Sequence, residues 1–402
     1  MSETIEQLQR TILPLIQNQQ LDEALEITRE ACKRDPKNAD KWLLQASTYS
    51  YKKNMPMLEY CCQKAIALQP RHVGAHYNLA VARQVRGDLA AAEKGFNSVI
   101  QLQPQHANAH AALAQILRIQ HRFEDALKHQ QQAISLMPDN PQLHFQIAVL
   151  YQNTRQIELA IQHYKEILKI LPEHLEALNN LGSLYHSQGQ LNQSIQYFSQ
   201  ALKIQPDNAQ LHYNMSQANW QLANIEQSLQ FALRALQLEE DNLLYRQNFI
   251  QALAAVENIP NSTEVIKQIE KSYNVEGVSW QNILGPSLAV LRQQAEFSRL
   301  RDKAILDDYD FIHRFINTDE SDQLLNSKLL LHCLTHTVIT FEHDEQLFTL
   351  LRRALLNLAI EKNYVLKNHQ IALIAALACQ CFNNEYAFAQ SEDEISKIND
   401  LT

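Results

Sequence analysis

Residues 175–208 read LEALNNLGSLYHSQGQLNQSIQYFSQALKIQPDN, and this stretch is one copy of a unit that recurs through the first half of the sequence. Its proline, Pro206, is the last of six prolines that stand 34 residues apart. The preceding five are Pro36, Pro70, Pro104, Pro138 and Pro172. A fixed period of 34 residues is typical of stacked helix–turn–helix units, so the spacing predicts an α-helical solenoid.

The remaining residues keep the same frame, with repeats that start at Ile5, Ala39, Val73, Ala107, Pro141, Leu175 and Ala209. Frame positions 8 and 20 are mostly small, as Ala114 and Ala126 are in the fourth repeat. Because large side chains would hold two helix backbones apart, these positions predict the contact between the two helices of a repeat. Each proline falls just past the second helix, where a missing N–H costs little and the helix ends.

This frame resembles the tetratricopeptide repeat (TPR) family. In residues 175–208 the consensus places of that family hold Leu178, Leu181, Gly182, Tyr185, Gly189, Phe198, Ala201 and Pro206. The resemblance implies an all-α fold, a TPR α-solenoid in which about seven helix–turn–helix repeats wind into a right-handed superhelix. The seventh repeat has Glu240 in place of the proline, which predicts that the TPR array covers residues 1–242.

Beyond Asn242 the period is lost, but apolar residues continue at helical spacing. Residues 243–257 predict an amphipathic helix that caps the array, and Gly285-Pro286 predicts a break between later helices. We therefore expect residues 243–402 to form an irregular α-helical domain packed on the last repeats.

The composition and the N-terminus narrow the function classes. A formal net charge of −9 disfavours nucleic-acid binding, because such proteins usually present a basic face. The six cysteines show no disulfide or zinc spacing, which favours a reducing compartment. No basic segment followed by an apolar run marks a secretory signal, and no apolar run is long enough for membrane insertion. These features predict a cytoplasmic protein, with export by a route that uses no N-terminal signal left open.

The sequence lacks the motifs that enzymes usually carry. It contains no G-x-G-x-x-G or P-loop to cradle nucleotide phosphates, and no G-x-S-x-G, H-E-x-x-H or EF-hand pattern. We therefore expect no catalysis by this chain alone and no cofactor. The pairs His72/His76 and His106/His110 have the i, i+4 spacing of metal ligands, but no third ligand is evident, so packing is the favoured interpretation.

The positive functional signal lies on the first helices of the repeats. The TPR resemblance implies that frame positions 2, 5, 6, 9, 12 and 13 of these helices face a concave surface. Position 6 reads Arg10, Leu44, Asn78, Ala112, Gln146, Asn180 and Asn214. Amides supply donors and an acceptor, so a row of them can pair with the backbone of an extended peptide. The row is similar to the asparagine ladder in the TPR region of O-GlcNAc transferase, although Ala112 and Gln146 depart from it.

Other residues on the same face complete a predicted peptide-binding groove. The predicted groove residues are Tyr77, Asn78, Gln115, Arg118, Phe145, Gln146, Gln152, Asn180, Ser183, His186, Tyr213, Asn214, Gln217 and Trp220. Aromatic and arginine side chains are frequent anchors of protein interfaces. Position 5 carries no lysine, which argues against the carboxylate clamp of chaperone-binding TPR domains. We expect a non-catalytic scaffold that binds an extended segment of a partner protein, in an oligomeric state left open. The competing interpretation is that the amides are merely solvated.

A second resemblance covers the far end of the chain. Residues 350–356, LLRRALL, and 376–388, ALACQCFNNEYAF, together with Glu394, resemble the segment that precedes the catalytic domain in bacterial TPR–methyltransferase proteins. Those are class I enzymes that use S-adenosylmethionine, and their glycine-rich loop is missing here. The alternative function is therefore the substrate-recruiting region of such an enzyme, with a catalytic domain beyond residue 402. Pilus- or secretion-assembly TPR proteins are less favoured, because they usually carry an export signal.

Overall fold

The computed structural model describes residues 4–336, 339, 342–360 and 366–383. Every regular element within these residues is an α-helix, as expected for an all-α chain. None of the described helices combines the length and apolarity that crossing a lipid bilayer requires. The chain divides into two compact units, Met1–Leu184 and Tyr185–Thr402.

Helix pairs follow the predicted frame, and the first helix of each pair begins at the predicted start of its repeat. First helices have 13 residues and second helices have 14. The first helices are α1 Ile5–Gln17, α3 Ala39–Tyr51, α5 Val73–Val85, α7 Ala107–Ile119, α9 Pro141–Asn153, α11 Leu175–Ser187 and α13 Ala209–Gln221. The second helices are α2 Leu21–Arg34, α4 Met55–Leu68, α6 Leu89–Leu102, α8 Phe123–Leu136, α10 Ile157–Ile170, α12 Leu191–Ile204 and α14 Ile225–Leu238.

The two helices of a repeat meet at the small residues of frame positions 8 and 20. In the third repeat these are Ala80 and Ala92, both fully buried. The approach is so close that a Cβ added to Gly95 would lie 2.7 Å from the Cβ of Ala80. In the fourth repeat Ala114 and Ala126 are buried in the same way. The small residues therefore set the distance between the helices, as the frame predicts.

The turn between the two helices places its residue at frame position 15 in the left-handed region. In every repeat φ of this residue lies between 55° and 84°. The seven residues are Gln19, Lys53, Gly87, His121, Arg155, Gly189 and Ala223. Only glycine adopts this region without steric cost, so five of the seven repeats hold a strained residue that the packing of their helices imposes.

Successive repeats are joined by a ring N–H at frame position 4, which donates to the carbonyl of the proline before it. The distances are 2.9 Å for Trp42–Pro36 and His76–Pro70, 3.0 Å for His110–Pro104, and 2.7 Å for His144–Pro138 and His212–Pro206. Leu178 replaces the ring after Pro172. The prolines therefore end helices and also accept hydrogen bonds that hold neighbouring repeats together.

The second unit continues with shorter and less regular helices. They are α15 Leu243–Ala255, α16 Thr263–Ser272, α17 Trp280–Arg292, α18 Ala295–Ile305, α19 Tyr309–Phe315, α20 Asp319–Leu325, α21 Lys328–His336, α22 Glu342–Ile360 and α23 Asn368–Asn383. One apolar core runs from Ala209 in the seventh repeat to Leu377. This core includes residues on both sides of Asn242, and the predicted domain boundary there stays a prediction.

A buried ion cluster lies in this core. Asp344 is fully buried and is bound by Arg292 and by Arg301, whose Nε lies 2.8 Å from its Oδ1. Two guanidinium groups offset the desolvation cost of one buried carboxylate, so α17, α18 and α22 are joined by charge as well as by apolar contact.

The predicted break at Gly285-Pro286 is wrong, since α17 continues through both residues. Gly285 lacks the Cβ that would clash with the following proline ring, which removes one obstacle to helical backbone. Leu284, Leu288 and Leu291 on the same helix are at most 4% exposed. Burial of three leucines, at about 1.5–3 kcal/mol each, outweighs the roughly 3 kcal/mol that an interior proline costs.

Replacing Ala126 by tryptophan should lower the free energy of unfolding by about 1–3 kcal/mol, because the new ring would force α7 and α8 apart. Glu124→Trp, on the exposed face of the same helix, is the matched control and should change stability little. Thermal unfolding followed by circular dichroism measures both, and equal melting temperatures for the two variants would mean that the frame is misassigned.

Replacing Ala223 by glycine should raise the free energy of unfolding by roughly 0.5–1 kcal/mol, because glycine relieves the left-handed backbone strain. The reverse change, Gly189→Ala, should destabilise by a similar amount. Chemical denaturation of both variants tests the pair, and a destabilised Ala223→Gly protein would show that this turn residue carries no strain.

Candidate functional site

All of the predicted groove residues lie on first helices of the repeats. Helix α5 carries Tyr77 and Asn78; α7 carries Gln115 and Arg118; α9 carries Phe145, Gln146 and Gln152; α11 carries Asn180, Ser183 and His186; α13 carries Tyr213, Asn214, Gln217 and Trp220. Ser183 is exposed and the others are half-buried. Half-burial suits contact residues, because such side chains are held by the fold while part of their surface stays accessible.

Four predicted groove residues meet in one cleft between α7 and α9 of the first unit. The cleft has a volume of about 230 Å³. Its lining residues are Ala114, Gln115, Arg118, Gln130, Gln142, Phe145, Gln146, Val149 and Leu150. We call it the Gln130 cleft. The sequence had placed Gln115, Arg118, Phe145 and Gln146 on one face, and the structure places them around one cavity.

Gln130 itself was missed at the sequence level because it lies on a second helix, α8. Its side chain is fully buried. Its Nε2 donates to the Leu143 carbonyl at 3.0 Å and to Gln146 Oε1 at 3.1 Å. The repeat frame nevertheless indicates that Gln130 is unusual. At position 24 the third, fifth and sixth repeats have Phe96, Tyr164 and Phe198, whereas the fourth has this glutamine.

Asn180 belongs to a hydrogen-bonded chain with a buried tyrosine. Its Nδ2 donates to the Tyr164 hydroxyl at 3.0 Å, and that hydroxyl donates to Gln152 Oε1 at 2.6 Å. Burial raises the pKa of Tyr164 to about 12, so the hydroxyl keeps its proton. Two predicted groove residues are thus held by the fold itself, and each amide retains one group for other partners.

Both contacts join frame position 24 of one repeat to position 6 of the next, 16 residues later. Gln130 bonds to Gln146, and Tyr164 bonds to Asn180. Phe96 and Phe198 offer no polar atom at position 24, and the residues 16 positions later are Ala112 and Asn214. Gln146 and Asn180 in the row at position 6 therefore also contribute to the contacts between repeats.

The aromatic groove residues also contact the next repeat, through ring packing. The Tyr77 ring stacks on His106 with centroids 4.9 Å apart, and Phe145 lies 5.8 Å from His174. Both histidines cap the first helix of the following repeat. Asn78 makes one long contact, 3.5 Å from its Nδ2 to Ser47 Oγ.

In the second unit the predicted groove residues join a separate polar network. Gln217 Nε2 donates to Asn248 Oδ1 at 2.6 Å, and Asn248 donates to Ser216. Asn214 Oδ1 accepts from Gln210 at 2.9 Å, and Tyr213 packs on Tyr245. A further cleft of about 500 Å³ in this unit was not foreseen. It is lined by Gln247, Ile250, Gln251, Ala254, Gly277, Val278, Ser279 and Asn282.

The histidine pairs with metal-ligand spacing make hydrogen bonds to backbone. His72 Nδ1 accepts from the Ala75 N–H at 3.4 Å, and His106 Nδ1 accepts from the Ala109 N–H at 3.1 Å. His76 and His110 hold the proline carbonyls described above. Within the described part of the chain, no group of three or more His, Cys, Asp or Glu side chains is placed to hold a metal ion.

A histidine–histidine contact occurs in the fourth and fifth repeats. Nδ1 of His110 lies 3.0 Å from Nδ1 of His129, and Nδ1 of His144 lies 2.9 Å from Nδ1 of His163. Nε2 of His110 and of His144 faces a carbonyl, so that nitrogen carries the proton and Nδ1 accepts. His129 and His163 are therefore the donors.

Protonation of these donor rings is opposed by their surroundings. Burial, followed by the neighbouring His144, lowers the pKa of His163 to about 4, and burial with His110 lowers the pKa of His129. An unfolded histidine has a pKa of about 6.5. The unfolded chain therefore binds more protons below that pH, and the stabilisation is complete above pH ~6.5 and is lost as pH falls toward about 4.

The second resemblance falls partly on described residues. Leu351, Ala354 and Leu355 of the LLRRALL segment are buried on α22, so packing alone accounts for their apolar character. The ALACQCFNNEYAF segment begins on α23. Its residues 384–388, and Glu394, lie outside the described residues.

His163→Phe should reduce the loss of thermal stability between pH 7 and pH 5 by a few degrees, because one protonation linked to unfolding is removed. Phenylalanine fits this frame position, since Phe231 occupies it beside His212 in the seventh repeat, with ring centroids 5.9 Å apart. Replacement of the exposed His343 by phenylalanine is the control. A melting temperature that falls equally with pH in wild type and His163→Phe would contradict the assignment.

Comparison with known sequences agrees with the frame. Family profiles described as TPR or tetratricopeptide repeat match residues 61–94, 107–140, 141–174, 182–222 and 209–242. The matches at 107, 141 and 209 start at repeat starts of the frame. No curated protein sequence matches the chain significantly.

Among solved structures, the chain is similar to the C-terminal part of a TPR repeat-containing protein from Cytophaga hutchinsonii, with 10% identity, 60% of this chain and 98% of that chain covered, and a TM-score of 0.50. It is also similar to YrrB, described as a TPR protein with an unusual peptide-binding site (19% identity, 47% and 97% covered, TM-score 0.42). It is similar as well to PilF of Pseudomonas aeruginosa, with 16% identity, 54% of this chain and 97% of that chain covered, and a TM-score of 0.46. The helices, their frame and the family matches together identify tetratricopeptide repeats in this chain, which forms a TPR solenoid followed by irregular helices.

Proposed function

We propose that this protein is a non-catalytic scaffold that holds an extended segment of a partner protein along the first helices of its TPR repeats. The observation that carries the proposal is the Gln130 cleft, in which four predicted groove residues surround one accessible cavity. Clefts with an aromatic wall and a few convergent polar groups are the usual places where proteins seat side chains of a partner.

The polar residues of the cleft are available for a partner. Among the described residues, the side chains of Gln115, Arg118 and Gln142 have no hydrogen bond or ion pair. Arg118 is half-buried on α7, and the lining of the cleft includes no acidic residue. A partner that offers main-chain carbonyls or a carboxylate near Arg118 would satisfy the guanidinium, which donates through five N–H groups.

The amide row extends this surface beyond the cleft. Asn180 holds its place through Tyr164, and its Oδ1 accepts no hydrogen bond within the described part of the chain. An amide fixed in this way can accept from a peptide N–H without losing much conformational entropy, because the fold has already ordered it. We infer that such preorganised amides bind the partner through its backbone, whatever its side chains are.

The double substitution Asn180→Ala, Asn214→Ala should weaken the binding of peptides selected on this protein from a random peptide library. Each amide that pairs with the peptide backbone contributes about 0.5–1.5 kcal/mol, so the pair should lower affinity by roughly tenfold or more. Isothermal titration calorimetry measures the change, and thermal unfolding checks that the loss of the Asn180–Tyr164 bond has not unfolded the protein.

The control is the double substitution Asn97→Ala, Asn192→Ala, which removes two exposed asparagines from second helices. It should leave peptide affinity unchanged. If the library yields no binders, or if the binders have the same affinity for the wild type and the Asn180→Ala, Asn214→Ala variant, the groove is refuted as the binding surface.

A further inference from the structure

Resting on the proposed function, we infer that the Gln130 cleft is a pocket for a tyrosine side chain of the bound partner. The repeat frame distinguishes the fourth repeat from its two neighbours at this place. At position 24 the third, fifth and sixth repeats have an aromatic ring, and the fourth has Gln130. The glutamine lies as deeply buried as those rings, and a cavity of about 230 Å³ remains between α7 and α9.

At the floor of the cleft, the side-chain oxygen of Gln130 has no hydrogen-bond donor within the described residues. Both protons of the Gln130 amide nitrogen are accounted for by the Leu143 carbonyl and Gln146 Oε1. Its Oε1 is buried, and no donor reaches it within the described part of the chain. Buried acceptors are nearly always paired in folded proteins, so we expect this oxygen, on a residue that lines the cleft, to accept from a bound water or from a ligand donor that displaces it.

The walls determine what kind of donor fits. The apolar part of the lining consists of Ala114, Val149, Leu150 and the Phe145 ring, and the polar part besides Gln130 consists of Gln115, Arg118, Gln142 and Gln146. No acidic residue lines the cleft to balance a cation, so an ammonium or guanidinium group would be desolvated without compensation. The group must therefore be neutral, with an apolar body and one donor at its tip.

A phenol meets these requirements with a single ring, the size found at this frame position in the neighbouring repeats (Phe96 and Tyr164), whereas an indole meets them with a larger double ring. The phenol ring matches the ring that Tyr164 places at the same frame position of the next repeat, and its hydroxyl can donate to Gln130 Oε1. Serine and threonine carry a donor but leave the apolar walls uncovered. Asparagine and glutamine carry a donor but cover less of the apolar lining than an aromatic ring does. Phenylalanine fills the space but leaves Oε1 without a partner.

The test uses two small probes, 4-methylphenol and toluene, which are the side chains of tyrosine and phenylalanine. Chemical-shift titration of the full chain gives a dissociation constant for each. We expect 4-methylphenol to bind at the cleft about tenfold more tightly than toluene, because only the phenol pairs the buried acceptor. Equal affinity of the two probes for the wild-type protein overturns the inference.

Three variants of α8 locate the effect. Gln130→Leu keeps the cavity and removes the acceptor, so both probes should bind with affinities within about twofold of each other. Gln130→Phe should remain folded, as Phe96 and Phe198 do in their repeats, and should fill the cleft and abolish binding of both probes. Gln132→Leu, at an exposed position of the same helix, is the matched control and should retain the preference for the phenol. A phenol preference that survives Gln130→Leu overturns the assignment of the floor.

The outcome is separable from that of the proposed function. Peptides selected from the library should carry a tyrosine whose replacement by phenylalanine weakens binding about tenfold in the wild type but not in Gln130→Leu. Peptides that depend on Asn180 and Asn214 but on no tyrosine would refute this inference and leave the groove intact. If the cleft prefers 4-methylphenol over toluene but peptide affinity does not depend on those asparagines, the groove is refuted and the tyrosine pocket is retained.

Discussion

Each repeat depends on the close approach of its two helices at small residues. At Ala80 and Gly95 the backbones come so near that a single added Cβ would collide. In the seventh repeat two hydroxyls replace the alanines, and the Oγ atoms of Ser216 and Ser228 lie 3.1 Å apart. This approach fixes the turn between the helices, and five non-glycine residues accept a left-handed backbone there, at about 1–2 kcal/mol each. Helix packing supplies more than this cost, because each repeat buries apolar residues on both helices and against its neighbours.

The side-chain contacts between successive repeats also influence which residues lie on the predicted groove surface. Frame position 4 is occupied by a ring that bonds the preceding proline carbonyl, and position 24 reaches position 6 of the next repeat. Position 6 is also the row from which the groove is predicted. A residue such as Asn180 therefore serves the contact between repeats and the surface together. In the fourth repeat position 24 is Gln130, which bonds to Gln146 and also lines the cleft.

The frame allowed most of the fold to be predicted. Repeat starts and helix-contact positions follow from the 34-residue period, because that period reflects packing that recurs unchanged in each unit. The break at Gly285-Pro286 could not be judged in the same way, since buried leucines far from any repeat pattern keep α17 continuous. For the site, the first-helix residues follow from the frame. Gln130, His129 and His163 do not follow from the frame in this way, because they lie on second helices, where the frame specifies only the small contact residues.

The nearest-neighbour packing of the array also bears on how the chain folds and frays. In the first unit the most extensive contacts of a helix are with helices adjacent in sequence, as α7 has with α8 and α8 has with α9. Closing such short loops costs little entropy, so folding can begin in any repeat and spread along the chain. A repeat with a neighbour on each side opens only when its contacts with both are lost. The fourth repeat packs through α7 on α6 and through α8 on α9, so its cleft is supported from both sides.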